Sequence, residues 1–166
     1  MTDRPPLWSV IGTLVSAPLF VGTVIVYVPY TLTAWRFQPA FFGWEPLRWI
    51  GAALVLAAVP VLFDFLVRFV REGHGTPVPV APPGRLVVSG SFRFVRNPAY
   101  FAALAAIAGQ GLLCENKSVL IYALGMGLVF HLLVVGYEEP ALHRKFGADY
   151  EAYCRRVPRW LPRRPS

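Results

Sequence analysis

Residues 118–137, SVLIYALGMGLVFHLLVVGY, contain no charged side chain and are followed directly by Glu138 and Glu139. An α-helix needs about 20 predominantly apolar residues to cross the hydrocarbon core of a bilayer. This run meets that length, and the paired acids supply the charges that end it. The stretch therefore predicts a transmembrane helix with an acidic boundary, which sets the expected fold class.

Three further uncharged runs precede this one. They cover residues 7–35, 49–63 and 97–114, and the apolar pattern of the second continues past Asp64 to Val70. The chain of 166 residues is 55% apolar and only 15% charged, whereas about a quarter of the residues in a soluble domain are charged. We therefore predict an all-α integral membrane protein with about four transmembrane helices, of which the third is short.

The composition excludes several classes of protein and site. So apolar a chain is not intrinsically disordered, and with Cys114 and Cys154 as its only cysteines it is not a disulfide scaffold. His74, His131 and His143 lack the spacing of metal ligands, so no metal site is expected. The net charge of +7 comes without a recognised nucleic-acid-binding motif, so no nucleic-acid partner is expected.

The basic residues indicate the orientation of the four helices. Most of the 16 lysines and arginines fall in the N-terminus, the loop around residues 68–97 and the C-terminal tail, which four spans place on one side. Lys and Arg are enriched on the cytoplasmic side of membrane proteins. Both termini are therefore expected to be cytoplasmic, with the basic surface attracted to anionic membrane lipids. The compact, arginine-rich chain favours a bacterial inner membrane.

Two polar segments on that side are long enough to do more than connect helices. Residues 71–97 contain a run rich in proline and glycine, which opposes a regular helix, and apolar stretches that favour a structured loop. In the second segment Phe146, Tyr150, Tyr153 and Val157 recur at helical spacing among charged residues. We expect a C-terminal amphipathic helix at the membrane interface, with Trp160 in the headgroup zone.

His131 and Glu138 are the polar candidates of the fourth helix. They share one helical face with Val134, at a separation of about 10 Å along the axis. Glu138 suits a cationic ligand, although a simple charge boundary also explains the acids. His131 is an intramembrane ionisable group and hence a functional candidate, although a neutral histidine bonded to a neighbouring helix is equally consistent with the pattern.

Two motifs carry a resemblance to a known family. They are LVVSGSFRFVRNPAY, residues 86–100, and EEPALHRKFGADYEAYCRRVPRWLP, residues 138–162. The motifs occur in the order Arg-Asn-Pro-x-Tyr, Glu-Glu and Phe-Gly-x-x-Tyr-x-x-Tyr-x-x-x-Val-Pro. This order resembles the isoprenylcysteine carboxyl methyltransferase family, which is related to the membrane phospholipid N-methyltransferases. The resemblance covers residues 73–162.

The resemblance implies a methyltransferase that uses S-adenosyl-L-methionine without a Rossmann fold and acts on a lipophilic small-molecule acceptor from the bilayer. It implies a methyltransferase core at residues 71–166, preceded by an N-terminal pair of transmembrane helices at residues 1–70. The cofactor-binding residues carried over by position are Gly84, Arg85, Leu86, Val87, Phe92, Asn97, Pro98, Ala99, Tyr100 and Glu138. The candidate catalytic residues are His131, Glu139 and Arg96.

The chain departs from the family pattern at two positions. Val134 stands four residues before Glu138, where the eukaryotic prenylcysteine enzymes have a substrate-binding arginine, and Asn97 replaces a histidine. A phospholipid amine N-methyltransferase is therefore an alternative. A small four-helix transporter or a non-catalytic membrane protein is an alternative of another class, with Asp64, expected to pair with Arg68, as its intramembrane acid.

Overall fold

The computed structural model describes residues 19–72 and 84–163, and in these ranges the chain consists of helices and loops without strands. The helices are α1 (Val21–Thr33), α2 (Pro46–Arg71), α3 (Pro98–Leu113), α4 (Lys117–Phe146) and α5 (Ala148–Arg156). Two of them contain π-helical turns, over Val21–Tyr27 in α1 and Val134–Glu138 in α4. Short 3₁₀ turns lie at Phe41–Gly43 and Gly90–Arg93. The all-α class is confirmed for the described residues.

Within residues 19–72 and 84–163, two helices are long and apolar enough to cross a membrane. They are Pro46–Arg68 within α2 and Lys117–Phe146, the whole of α4. Large apolar side chains stand exposed on both, among them Leu56 and Phe63 on α2 and Leu124 on α4. α1 and α3 are apolar but shorter. Residues 7–18 of the first predicted span and the proline- and glycine-rich run at residues 73–83 lie outside the described residues.

Local sequence sets the ends of α3 and α4. Pro98 occupies the first turn of α3, where a missing N–H costs little because the first N–H groups of a helix have no partner within it. Asn116 caps α4 by accepting a hydrogen bond from the Val119 N–H (3.2 Å). Gly147, with a φ of +50°, ends α4 and turns the chain into α5. Because residues 114–116 alone connect them, α3 and α4 run antiparallel.

The backbones of α2 and α3 lie almost in contact. A β-carbon added to Gly51 would lie 2.6 Å from the Gly109 carbonyl oxygen, and one added to Gly109 would lie 2.7 Å from that of Gly51. Farther along the two helices, Ala58 of α2 and Ala102 and Ala106 of α3 belong to one buried cluster. Small residues permit such close approach between membrane helices, where packing supplies much of the attraction. The Gly51–Gly109 contact brings the first turns of α2 against the last turns of α3.

The π-helical turn of α1 exposes backbone carbonyls that neighbouring helices satisfy. Tyr122 Oη donates a hydrogen bond to the Val24 carbonyl (3.1 Å), and Gln110 Nε2 donates one to the Ile25 carbonyl (2.7 Å). An unsatisfied carbonyl in an apolar environment costs several kcal/mol, so these bonds matter more here than at a wet surface. They join α1 to both α3 and α4.

Candidate active site

Residues 84–97, called here the loop before α3, are tied to the end of α2 through Asp64. The Asp64 carboxylate accepts a hydrogen bond from the Ser91 N–H (2.8 Å) and pairs with Arg68 Nε (2.7 Å). Arg68 also donates to Ser89 Oγ (2.8 Å) and Glu72 Oε1 (3.0 Å). The Asp64–Arg68 pair predicted from the spacing is therefore confirmed, and it holds residues 89–91 against α2.

The C-terminal segment, residues 157–163, lies along the same loop. The Arg96 N–H donates to the Pro158 carbonyl (2.9 Å), and the Arg163 N–H donates to the Phe94 carbonyl (3.0 Å). Asn97 Nδ2 donates to the Arg159 carbonyl (3.1 Å). The Arg-Asn-Pro motif and the Val-Pro motif, far apart in sequence, are thus in direct contact.

The aromatic face of α5 is covered by the protein itself. Tyr150, Tyr153 and Val157 are buried together and pack with Leu86. Tyr153 Oη donates a hydrogen bond to the Phe92 carbonyl (2.8 Å). This face was predicted to rest at the membrane interface, and instead it contacts the loop before α3. Burial raises the pKa of both Tyr150 and Tyr153 above the ordinary value of 10.0.

Glu139 is neutralised by two arginines. Its carboxylate forms a bidentate pair with Arg159 (2.8 and 2.7 Å) and an ion pair with Arg96 (3.0 Å). The hydrogen bonds from Arg159 to this carboxylate raise the pKa of the guanidinium. Arg96 also donates to Cys154 Sγ (2.8 Å). Two of the candidate catalytic residues, Glu139 and Arg96, therefore contact each other, and their charges are already engaged.

Glu138 has different surroundings from its neighbour. It is half-buried and accepts a hydrogen bond from the Tyr100 hydroxyl. Within residues 19–72 and 84–163, no Lys, Arg or His side chain lies within ion-pair distance of its carboxylate. Adjacent side chains on a helix project about 100° apart, so the two acids reach different partners. Glu138 thus offers a carboxylate to a cationic ligand.

Aromatic rings lie beside this carboxylate. Tyr100 stacks on Phe130, with ring centroids 4.6 Å apart. The next residue, His131, is exposed, and its Nδ1 accepts a hydrogen bond from Trp160 Nε1 (3.1 Å). The side-chain partner of His131 therefore comes from the C-terminal segment. Trp160 itself packs against the buried cluster that contains Phe130.

The remaining candidates for cofactor binding extend along the loop and the first turn of α3. Phe92 is buried with its ring 5.8 Å from that of Phe65. Val87 and Pro98 are also buried, Leu86, Asn97 and Ala99 are half-buried, and Gly84 and Arg85 are exposed. Tyr100 is the candidate that the structure brings into direct contact with Glu138.

Arg159 and Trp160 are site residues that the sequence motifs do not predict. Their partners Glu139 and His131 lie 20 and 29 residues earlier in the chain, so the contacts appear only once the C-terminal segment folds back. The sequence feature that could have indicated Arg159 and Trp160 is their position directly after the Val-Pro motif. In the folded chain Arg159 pairs with Glu139, and Trp160 forms a hydrogen bond with His131.

Comparisons with known proteins give a consistent result. The sequence model of the phospholipid methyltransferase family matches residues 46–149. Two rice proteins, from Oryza sativa subsp. indica and subsp. japonica, are each described as a probable protein-S-isoprenylcysteine O-methyltransferase. Each is 33% identical to the chain over 79 residues, which cover 47% of this chain and 41% of the relative's length. No solved structure is significantly similar to the chain.

Proposed function

The chain belongs to the phospholipid methyltransferase family, and we propose that it transfers a methyl group from S-adenosyl-L-methionine to a lipophilic acceptor in the membrane. The family resemblance predicted from the sequence is confirmed by the match over residues 46–149. The observation that best supports the activity is the contrast between the adjacent acids. Glu139 is neutralised by two arginines, whereas Glu138 is bonded to a neutral hydroxyl and is available to a cation.

The residues around Glu138 fit S-adenosyl-L-methionine, which carries an amino group, a carboxylate, an adenine and a sulfonium. When bound, it supplies an electrophilic methyl group. The Glu138 carboxylate would hold the amino group by a charge-assisted hydrogen bond. The rings of Tyr100 and Phe92 suit the sulfonium cation or the adenine. Arg85 or Arg96 would pair with the cofactor carboxylate, and Arg96 would then share its guanidinium with Glu139.

The loop before α3 completes the proposed cofactor site. Backbone groups of residues 84–87 and 97–99 would contact the ribose and adenine. Arg96 and Glu139 act in this proposal as positioning residues, because they hold the C-terminal segment against the loop through Arg159. Methyl transfer is an in-line displacement, so fixed positions and exclusion of water contribute most of what the protein supplies.

The acceptor is proposed to reach the site from the bilayer. His131 lies among exposed apolar residues of α4, including Leu128 and Leu132, and is assigned to the acceptor side. Val134 is fully buried and provides no cation for an acceptor carboxylate. The names of the rice relatives favour carboxyl methylation, and the name of the family favours phospholipid amines. Base-labile methyl esters in the product would identify the first class, and methylated amines the second.

The arrangement in the membrane is part of the proposal. We assign four spans, in which α1 and α3 accompany the longer α2 and α4, with both termini cytoplasmic, in a bacterial inner membrane. This orientation places Glu138, the loop before α3 and α5 on the cytoplasmic side. The division into an N-terminal pair at residues 1–70 and a core at residues 71–166 stays a prediction, and the family match begins within the first part.

The transporter alternative has little support in the contacts of Asp64. Its carboxylate is occupied by Arg68 and by the Ser91 N–H, which is an anchoring role rather than an ion path. Cation transport that is abolished by Asp64→Asn would restore that alternative.

Cofactor binding by the detergent-purified protein tests the proposal. We expect isothermal titration calorimetry to show S-adenosyl-L-methionine binding that weakens about tenfold or more in Glu138→Gln, because a charge-assisted bond is lost. Glu151→Gln is the matched control, since Glu151 is exposed on α5. Equal affinities of the Glu138 and Glu151 variants would remove Glu138 from the site, and no binding by the folded wild type would overturn the methyltransferase assignment.

A further inference from the structure

The hydrogen bond between Trp160 and His131 determines which imidazole nitrogen carries the proton. Trp160 Nε1 is a donor only, and it donates to His131 Nδ1 (3.1 Å). Nδ1 must therefore present a lone pair, and in the neutral ring the proton is on Nε2. In this arrangement His131 presents a hydrogen-bond donor, and not a base, to any ligand at Nε2.

Trp160 is held in place by its neighbours in the chain. The preceding residue, Arg159, forms the bidentate pair with Glu139, and the Arg159 carbonyl accepts from Asn97. Backbone bonds at Pro158 and Arg163 fix the segment on both sides of it. The indole ring also packs against the buried cluster. The tautomer of His131 is thus set by the same contacts that close the proposed cofactor site.

His131 stands deeper in α4 than the proposed cofactor carboxylate. It precedes Glu138 by seven residues, and the π-helical turn over Val134–Glu138 lies between the two. Phe130 beside it stacks on Tyr100, which in turn bonds to Glu138. His131 is exposed, and the apolar Leu128 and Leu132 near it are exposed as well. A headgroup arriving from the bilayer would meet His131 beside the cofactor site.

We infer that His131 binds an oxygen of the acceptor headgroup through its Nε2–H, and that Trp160 is the positioning residue that keeps this nitrogen protonated. The inference rests on the proposed methyltransferase function and specifies its acceptor as an acidic lipid headgroup, carboxylate or phosphate. His131 would supply the acceptor headgroup with the hydrogen-bond donor that Val134 lacks. Methylation of a carboxylate forms an O–CH₃ bond while the S–CH₃ electron pair returns to sulfur, and no proton has to be removed. Methylation of a neutral amine beside a phosphate forms an N–CH₃ bond with the same return of electrons to sulfur, and the ammonium product releases its proton to water.

Substitutions that keep one nitrogen position test the donor role. The amide N–H of glutamine reaches the position of Nε2, whereas that of asparagine reaches the position of Nδ1. The variants His131→Gln, His131→Asn and His131→Ala are assayed with tritiated S-adenosyl-L-methionine in proteoliposomes. The acceptors are an N-acetyl S-prenylated cysteine, which has a carboxylate, and phosphatidylethanolamine, which has a phosphate beside its amine.

We expect the alanine and asparagine variants to raise the acceptor KM about tenfold to a hundredfold, with a smaller change in kcat, because a bond to a charged oxygen is lost. Glutamine should restore most of the loss, and the cofactor Kd should stay unchanged in all three. The acceptor that shows this pattern identifies the headgroup oxygen. A fall in kcat at constant KM, or a glutamine variant no better than alanine, would overturn the inference and indicate a base.

The tautomer is measured separately from activity. In protein labelled with ¹⁵N-histidine, the signals missing from His131→Gln identify His131, and we expect them to show Nε2 protonated and Nδ1 unprotonated. In Trp160→Phe we expect these signals to show a mixture of the two neutral tautomers of His131. An Nδ1-protonated ring in the wild type would overturn the inference even if neither acceptor is methylated. Loss of cofactor binding by the wild type would instead overturn the proposed function.

Discussion

The hydroxyl of Tyr100 donates a hydrogen bond to the carboxylate of Glu138 and so joins the first turn of α3 to the π-helical turn of α4. The two residues are 38 positions apart in sequence. The Tyr100 ring is held independently by its stacking on Phe130. π-Helical turns occur frequently at functional sites. Here the turn ends at the acid that we assign to the cofactor.

Tyr100→Phe should weaken cofactor binding without unfolding the protein. The phenylalanine ring keeps the stacking on Phe130 but removes the hydroxyl that orients Glu138. We expect the calorimetric Kd for S-adenosyl-L-methionine to rise about fivefold, less than in Glu138→Gln, because the hydroxyl orients the acid while the carboxylate itself is kept. Tyr122→Phe, which loses a bond far from Glu138, is the control. A wild-type Kd in Tyr100→Phe would show that the hydroxyl does not orient the acid.

Glu139→Gln should affect stability more than binding. It leaves Arg96 and Arg159 without their shared carboxylate, and Arg96 is only 12% exposed at its side chain. Breaking a largely buried ion pair on one side costs about 2–3 kcal/mol after allowance for the partial exposure of Arg159. We expect a lower thermal midpoint than in Glu138→Gln or Glu151→Gln. An unchanged midpoint would contradict the stabilising role, and a selective loss of cofactor affinity would assign Glu139 a direct role in the site.

Gly51→Ala should separate α2 from α3. The added carbon would meet the Gly109 carbonyl oxygen and the Leu113 nitrogen, each at 2.6 Å, and both are backbone atoms that a side-chain rotation does not move. Overpacking of this kind costs about 1–3 kcal/mol. In Gly125→Ala no atom of the described residues beyond the adjoining part of the same helix lies within 4 Å of the added carbon. That variant should therefore gain the helix propensity of alanine, up to about 1 kcal/mol. Thermal unfolding of both variants in the same detergent tests the contrast, and equal midpoints would contradict it.

The apolar helices α2, α3 and α4 and the Asp64–Arg68 pair were predictable because they depend on local sequence. The uncharged runs at residues 49–63, 97–114 and 118–137 correspond to α2, α3 and α4. The starts of α3 and α4 differ from these runs by one position, where Pro98 and Asn116 act, whereas α4 continues past the last run to Phe146. An acid and an arginine four residues apart on one helix have few other geometries available to them.

The partners of the two acids were not predictable in the same way. Glu138 and Glu139 are chemically identical neighbours, and only the return of residues 157–163 assigns Arg159 to one and leaves the other with Tyr100. The apolar periodicity of α5 likewise shows that one face is buried without showing what covers it. Leu86 and the Phe92 carbonyl cover it here, where lipid headgroups were expected. Such contacts depend on tertiary packing rather than on spacing.

Tyr150 and Tyr153 should make the protein sensitive to alkaline pH. Burial raises the pKa of both hydroxyls above 10.0 in the folded state, so the unfolded chain releases these protons first as the pH rises. Their contribution to stability is therefore fully present below pH 10.0 and is lost as the pH increases from there toward the folded-state pKa. Tyr150→Phe removes one of the two groups and should flatten the decline of the thermal midpoint above pH 10.0. Tyr27→Phe, which removes an exposed tyrosine hydroxyl of α1, is the matched control. A Tyr150→Phe curve that parallels the wild type would show that ionisation of this buried hydroxyl does not drive the alkaline transition.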